Sequence, residues 1–115
     1  MAYVLLIVET DEDRRSRPAD LGHDLYARMQ AYGDDLKARG LLRVSESLKT
    51  DATRLQVRQG QMRLVDGPFA EAKELIGGIF VFDCDSREEA LAIAARCPAA
   101  EWATLELREI GPCYT

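Results

Sequence analysis

Histidine occurs once in this chain of 115 residues, at position 23, and cysteine three times, at positions 84, 97 and 113, never as Cys-x-x-Cys. An odd number of cysteines leaves no complete disulfide framework. One imidazole with scattered thiols does not assemble a zinc site. No cofactor is therefore expected, and reduced thiols fit a cytoplasmic protein. Long hydrophobic runs are also missing. Val4–Val8 is too short for a membrane span or for the apolar core of a signal peptide, so neither membrane contact nor export is expected. Basic clusters are scarce in a chain of net charge −5. Arg14, Arg15 and Arg17 directly follow Asp11, Glu12 and Asp13, which reads as a solvated loop. Nucleic acid needs a clustered basic surface and is not an expected partner. There is no glycine-rich phosphate loop, no Ser-His-Asp order, no internal repeat and no low-complexity tract.

What is present suits one globular domain over residues 1–115. Apolar residues make up 47% and charged residues 30%, enough to fold and to bury roughly two thirds of the extended-chain surface. Tyr3-Val4-Leu5-Leu6-Ile7-Val8 reads as a strand covered on both faces. A helix begins near Pro18, which suits a first helical position, and stops at Gly40. Its apolar residues Leu21, Leu25, Met29, Tyr32 and Leu36 form one stripe. Leu41–Leu48 reads as a strand. Arg54–Arg58 and Met62–Leu64 read as a hairpin with one wet face, turning at Gln59-Gly60-Gln61. Ile79–Phe82 is a second buried strand. Ser86 opens a helix as a capping box with Glu89, and Ala90, Leu91, Ile93, Ala94 and Cys97 point inward from it. Leu105–Arg108 closes the order as a last strand.

Two β-α-β halves around a hairpin predict an α+β fold, a ferredoxin-like sandwich with an inserted β-hairpin. Helices on one side leave the other sheet face apolar and bare. Monomers rarely expose such a face, so a homodimer with sheet facing sheet is expected.

The densest stretch is Val65–Gly78. Asp66-Gly67-Pro68 is strong turn chemistry, Phe69 supplies an apolar anchor, and Gly77 and Gly78 let something approach the backbone closely. Asp66-Gly67-Pro68-Phe69, followed by Glu71, Lys73-Glu74 and Gly77-Gly78, closely resembles the YCII-related proteins of the DGPF type. Tyr3–Leu6 resembles the family's first strand, and Ala90-Leu91, Ala94-Ala95-Arg96 and Pro98 its second helix. The resemblance implies a dimeric α+β barrel. It leaves the activity unassigned, and some relatives lie beside extracytoplasmic-function sigma factors, which implies a possible regulatory role. The founding YCII branch carries a proposed catalytic histidine–aspartate pair. Here Arg28 stands near the histidine's place and that branch lacks the DGPF insertion, so the fold and the loop carry over and the pair does not.

Asp66, at a strand end, is a candidate for proton transfer if desolvation raises its pKa; its carboxylate could instead serve only its own turn. Lys73 and Glu74 could present a charge pair to a polar ligand, or form a solvated turn worth about 0–1 kcal/mol. Phe69, Gly77 and Gly78 complete the candidate ligand-binding set. His23, three residues from Asp20 on the helix, could hold a tautomer for proton transfer or be a surface imidazole. Tyr3, Tyr26 and Tyr32 read as core or interface aromatics, and Cys84 and Cys97 as small buried hydrophobes. Two functions follow. One is a cofactor-free enzyme acting on a small polar metabolite. The other is a non-catalytic ligand-binding or regulatory dimer linked to sigma-factor signalling.

Overall fold

The computed structural model describes residues 1–67 and 74–114. Among them the chain runs β1 (Ala2–Glu9), α1 (Asp11–Ser16), α2 (Ala19–Ala38), β2 (Leu42–Ser47), β3 (Thr53–Arg58), β4 (Gln61–Asp66), β5 (Leu75–Asp83), α3 (Arg87–Ala95), a 3-10 turn (Pro98–Glu101) and β6 (Thr104–Glu109). Four strands form one sheet in the order β2-β5-β1-β6, and β3 pairs only with β4. Every neighbouring pair is antiparallel. With the hairpin set aside, this is the ferredoxin-like order, in which β1-α2-β2 and β5-α3-β6 interlock. The α+β sandwich with an inserted hairpin is what the chain adopts.

Side chains of a strand alternate between its two faces, and β1 shows it directly. Tyr3, Leu5, Ile7 and Glu9 are buried, while Ala2, Val4, Leu6 and Val8 are half-buried. Phe80 and Phe82 extend the buried face from β5, opposite Leu5 and Tyr3. Over that face α2 lays Tyr32, Gly33 and Leu36, and α3 lays Ala90, Ile93 and Ala94. Tyr32 meets Phe80 edge-to-face at 5.2 Å. Its hydroxyl donates to the Ile93 carbonyl at 2.7 Å and so ties the two helices together. Burial pushes the Tyr32 phenol up, which keeps it a donor.

The apolar stripe of α2 is not evenly buried. Tyr32 and Leu36 are in the core, Leu25 and Met29 are half-buried, and Leu21 is exposed. The C-terminal half of the helix therefore rests on the sheet, and its N-terminal half stands over open space. Gly33 is where contact is closest: a Cβ there would lie 3.4 Å from the Phe80 ring.

Several local features depart from the expectation. Glu9–Arg17 contains a short helix rather than only a loop. Thr10 caps it by accepting from the Asp13 amide at 2.9 Å, with acids in its first turn and Arg14 and Arg15 in its last; that charge order suits the helix dipole. The β3–β4 hairpin is wet on both faces, since every residue of both strands is exposed. Gln59 (φ 53°) and Gly60 (φ 75°) make its two-residue turn. Strand β5 starts earlier than expected and includes Gly77 and Gly78. Ser86 caps α3 as expected, accepting from the Glu89 amide at 3.1 Å, while Glu89 accepts from the Asp85 amide at 2.9 Å. Leu91, expected inside, is exposed. No helix among the described residues is long and apolar enough to cross a membrane.

Candidate functional site

Glu9 is the last residue of β1 and continues the inward phase of Tyr3, Leu5 and Ile7. It is only 8% exposed. A carboxylate in a core position needs compensating charge and hydrogen bonds, and the next turns of chain provide both. Arg14 Nε donates to Glu9 Oε1 at 2.6 Å, and Arg17 Nη2 to Oε2 at 3.2 Å. Arg14 also donates through Nη1 to the Leu48 carbonyl at 2.7 Å and Thr50 Oγ1 at 3.3 Å, and through Nη2 to the Gly77 carbonyl at 2.9 Å. One guanidinium thus ties together the ends of β1, β2 and β5.

The strand opposite is built to admit this cluster. The β1–β5 ladder pairs Ile7 with Gly78 and Val8 with Ile76, so Gly77 is the extra residue of a bulge. A Cβ on Gly77 would lie 2.6 Å from Glu9 Oε1 and 2.7 Å from Arg14 Nη2. Both atoms are held by other bonds, so they cannot simply swing aside. Gly77→Ala is expected to cost about 1–3 kcal/mol through overpacking, measured by urea denaturation. A neutral effect would mean that the ion pair is free to move.

Glu9, Arg14 and Arg17 stand at the polar end of a cleft of about 530 Å³ between the sheet and the N-terminal half of α2. Leu25, Met29, Phe80 and Trp102 line it with apolar surface, and exposed Tyr26 is at its rim. Trp102 is braced from outside: the Arg28 guanidinium lies 5.4 Å from its ring centroid and also pairs with Glu101. Among the described residues Arg14 spends donors on four acceptors, whereas Arg17 makes one hydrogen bond, to Glu9. Arg17 is mostly buried, with 17% of its side chain exposed. Two guanidinium groups against one carboxylate leave a local excess of positive charge. Asp34 and Glu46 also line the cleft, but they are exposed, where water and salt screen them.

The residues singled out from the sequence are spread over the molecule. Gly77 and Gly78 line the cleft. Asp66 ends β4 at the base of the hairpin, exposed, and accepts from Thr53 Oγ1 at 2.7 Å. His23 is exposed on α2, as is Asp20. Among the described residues, neither Asp66 nor His23 lines this cleft or either of two further hollows, one on the opposite face of the sheet and one beside Trp102. Glu74 lines a groove on the opposite face of the sheet. Phe69 and Lys73 lie outside the described residues. Cys84 and Cys97 are buried, and burial pushes both thiols up, away from the reactive thiolate. No group of histidine, cysteine, aspartate and glutamate among the described residues could hold a metal ion.

Sequence reasoning passed over Glu9, Arg14 and Arg17. The signal was there: an acid at the next inward position of an apolar strand, followed by arginines five and eight residues later.

A family model described as the YCII-related domain matches residues 1–113. An uncharacterized protein of Rhizobium meliloti (strain 1021) is 44% identical over 45 residues, 39% of this chain and 36% of that protein. The match thus spans about a third of that relative's length. Among solved structures the fold is similar to 5-chloro-2-hydroxyhydroquinone dehydrochlorinase from Burkholderia phenoliruptrix AC1100, in complex with 2,5-dihydroxybenzoquinone. The likeness has a TM-score of 0.57 at 17% identity and covers 96% of this chain and 94% of that one.

Proposed function

We propose that this chain, which belongs to the YCII-related domain family, is a cytoplasmic homodimer and a cofactor-free enzyme that takes a small organic anion into the cleft beneath α2. One observation carries the reading. The cleft is apolar along its walls and ends in a guanidinium group, Arg17, which among the described residues donates only to Glu9. A planar acid or enol of a few carbons would lay its body against Phe80, Trp102 and Met29 and set its oxygen on Arg17. In the same place Arg17 would stabilise negative charge developing on an enolate or phenolate oxygen. The fold relative carries a dihydroxybenzoquinone, a ligand of this chemical kind. Asp66 as the proton-transfer group belongs to a different version of the reading, since in one protomer it stands outside the cleft.

The dimer is supported by the bare face of the sheet. Val4 pairs with Val81, Leu6 with Ile79 and Val8 with Ile76 across β1 and β5, and Val44 extends the row on β2. These are apolar rows on the side away from α2 and α3.

A panel of hydroxybenzoates, hydroxyquinones and short 2-oxo acids tests the reading by NMR. Anions are expected to bind and neutral analogues not, and Arg17→Met is expected to weaken binding about tenfold while the spectrum stays folded. Equal binding of the neutral analogues together with an unaffected Arg17→Met would overturn it. A second reading, a non-catalytic ligand-binding or regulatory dimer, is favoured by Glu9, whose carboxylate is taken up by two arginines rather than free to move a proton. Chemical conversion of a bound anion selects the enzyme; binding without conversion selects the regulator.

A further inference from the structure

The β3–β4 hairpin takes no part in the cleft. A lone two-stranded hairpin is marginal in water, yet this one lies with every residue of both strands exposed. It is also amphipathic. Leu55 pairs with Leu64 and Val57 with Met62, so these four side chains share one face. Each is more than half exposed, at 56%, 55%, 54% and 62% respectively. The other face carries Arg54, Arg58 and Arg63. Residues 53–65 contain these three arginines and no acid, so the hairpin holds +3 of a chain whose net charge is −5; the remainder is therefore −8. The hairpin projects as well. The radius of gyration is 16.1 Å, against about 13 Å for a compact domain of this length.

The same molecule offers a surface of opposite character. On the bare side of the sheet, at the end where the hairpin springs, Leu6, Val8 and Ile76 floor a groove lined by five acids, Glu12, Glu74 and Glu106 among them, against three bases, one of which is the hairpin's own Arg54.

We propose that the hairpin is an assembly arm that grips a second copy of this chain. Its apolar face lies over the partner's groove, while its arginines, on the outer face, draw the +3 arm to the partner's −8 body. Charge and apolar surface choose the occupant together. A basic hairpin alone could suit nucleic acid, but a body of −8 repels phosphates and leaves Leu55, Val57, Met62 and Leu64 uncovered. A second copy supplies both an apolar floor and carboxylates. Two-fold symmetry makes the contact reciprocal, each protomer giving one arm and receiving one. The groove floor is the hairpin end of the apolar rows of the sheet face, so the arm covers Leu6, Val8 and Ile76 and leaves the partner's sheet the remainder around Val4, Val44 and Val81. The inference rests on the reading that two copies associate and is independent of what the cleft binds.

Sedimentation velocity on the whole chain tests it, with L55K/L64K and R58E/R63E as variants. Because these side chains are exposed, both variants are expected to keep the wild-type circular dichroism. The wild type is expected to be a dimer. L55K/L64K is expected to raise its dissociation constant about a hundredfold, and R58E/R63E to weaken it less and to flatten its salt dependence. A dimeric wild type whose variants associate equally tightly would overturn the arm and leave the dimer standing. A wild type that is monomeric at tens of micromolar would overturn both. Retention of the wild type on duplex DNA at physiological salt, lost in R58E/R63E with dimerisation unchanged, would also overturn the arm. Hydrogen exchange of the wild type gives a check free of mutation: amides of Leu55–Leu64 gain protection as the protein is concentrated if the arm is right, and stay unprotected if it is wrong.

Discussion

Replacing Glu9 by leucine costs this protein about 3–5 kcal/mol of stability, the expected result of removing one side of a buried charge cluster. Leucine follows the apolar pattern of β1 better than glutamate does, and on hydropathy alone it should be welcome. The opposite sign is expected because Arg14 and Arg17 are held close by backbone and packing and would lose the carboxylate that compensates them. For a domain of this size the loss corresponds to a fall in melting temperature of roughly 12–20 °C. Adding Arg17→Leu to Glu9→Leu should restore part of the loss, since one of the two stranded cations is then gone, and the non-additivity measures the coupling directly. Urea denaturation of the single and double variants decides it. A loss under about 1 kcal/mol would show that Glu9 behaves like an exposed pair.

Phe82→Ala is expected to be as damaging, by a different mechanism. Phe82 is fully buried and stands at the crossing of two ladders, opposite Tyr3 on β1 and Leu42 on β2, with its ring stacked on Tyr3 at 6.4 Å. Truncation leaves a cavity that the sheet cannot close without bending, and substitutions of this kind cost about 3–5 kcal/mol. Phe82→Leu keeps most of the volume and should cost less than about 2 kcal/mol. Equal losses for the two variants would argue that the ring's stacking on Tyr3, rather than the filled volume, is what matters. Neither substitution touches the cleft, so folded Phe82→Leu should retain anion binding.

The two sites differ in how far the sequence announced them. Phe82 lay in an apolar run that could only be a buried strand, and the β-α-β, hairpin, β-α-β order followed from such runs with the Ser86 cap and the Gly40 stop. Periodicity reports each residue against its own neighbours, and core formation obeys that local rule. The cleft does not. Glu9, Arg14 and Gly77 meet because β5 returns beside β1 almost seventy residues later, and no spacing along the chain encodes that meeting. Leu21 and Leu91 failed for a related reason: helical phase says which face they share, but not where along its length a helix leaves the sheet. Arg14, Arg15 and Arg17 looked like a solvated run because an acid-then-base order describes a loop and a short dipole-matched helix equally well. Gly77 and Gly78 were marked out by their missing side chains, although what approaches them came into view only with the partner strand in place.

The bulge at Gly77 has one further consequence. It puts an extra residue between two stretches of β5, and the parity of the strand changes as the chain passes it. Ile76 pairs with Val8 on the open side, while Gly78 pairs with Ile7 on the helix side. In an unbroken ladder residues 76 and 78, two apart, would share a side. The inserted residue brings a carbonyl that the Arg14 guanidinium and the Leu48 amide share, at 2.9 and 3.0 Å. A chain one residue shorter here would keep Ile76 opposite Val8 by ordinary alternation but would lose that shared acceptor.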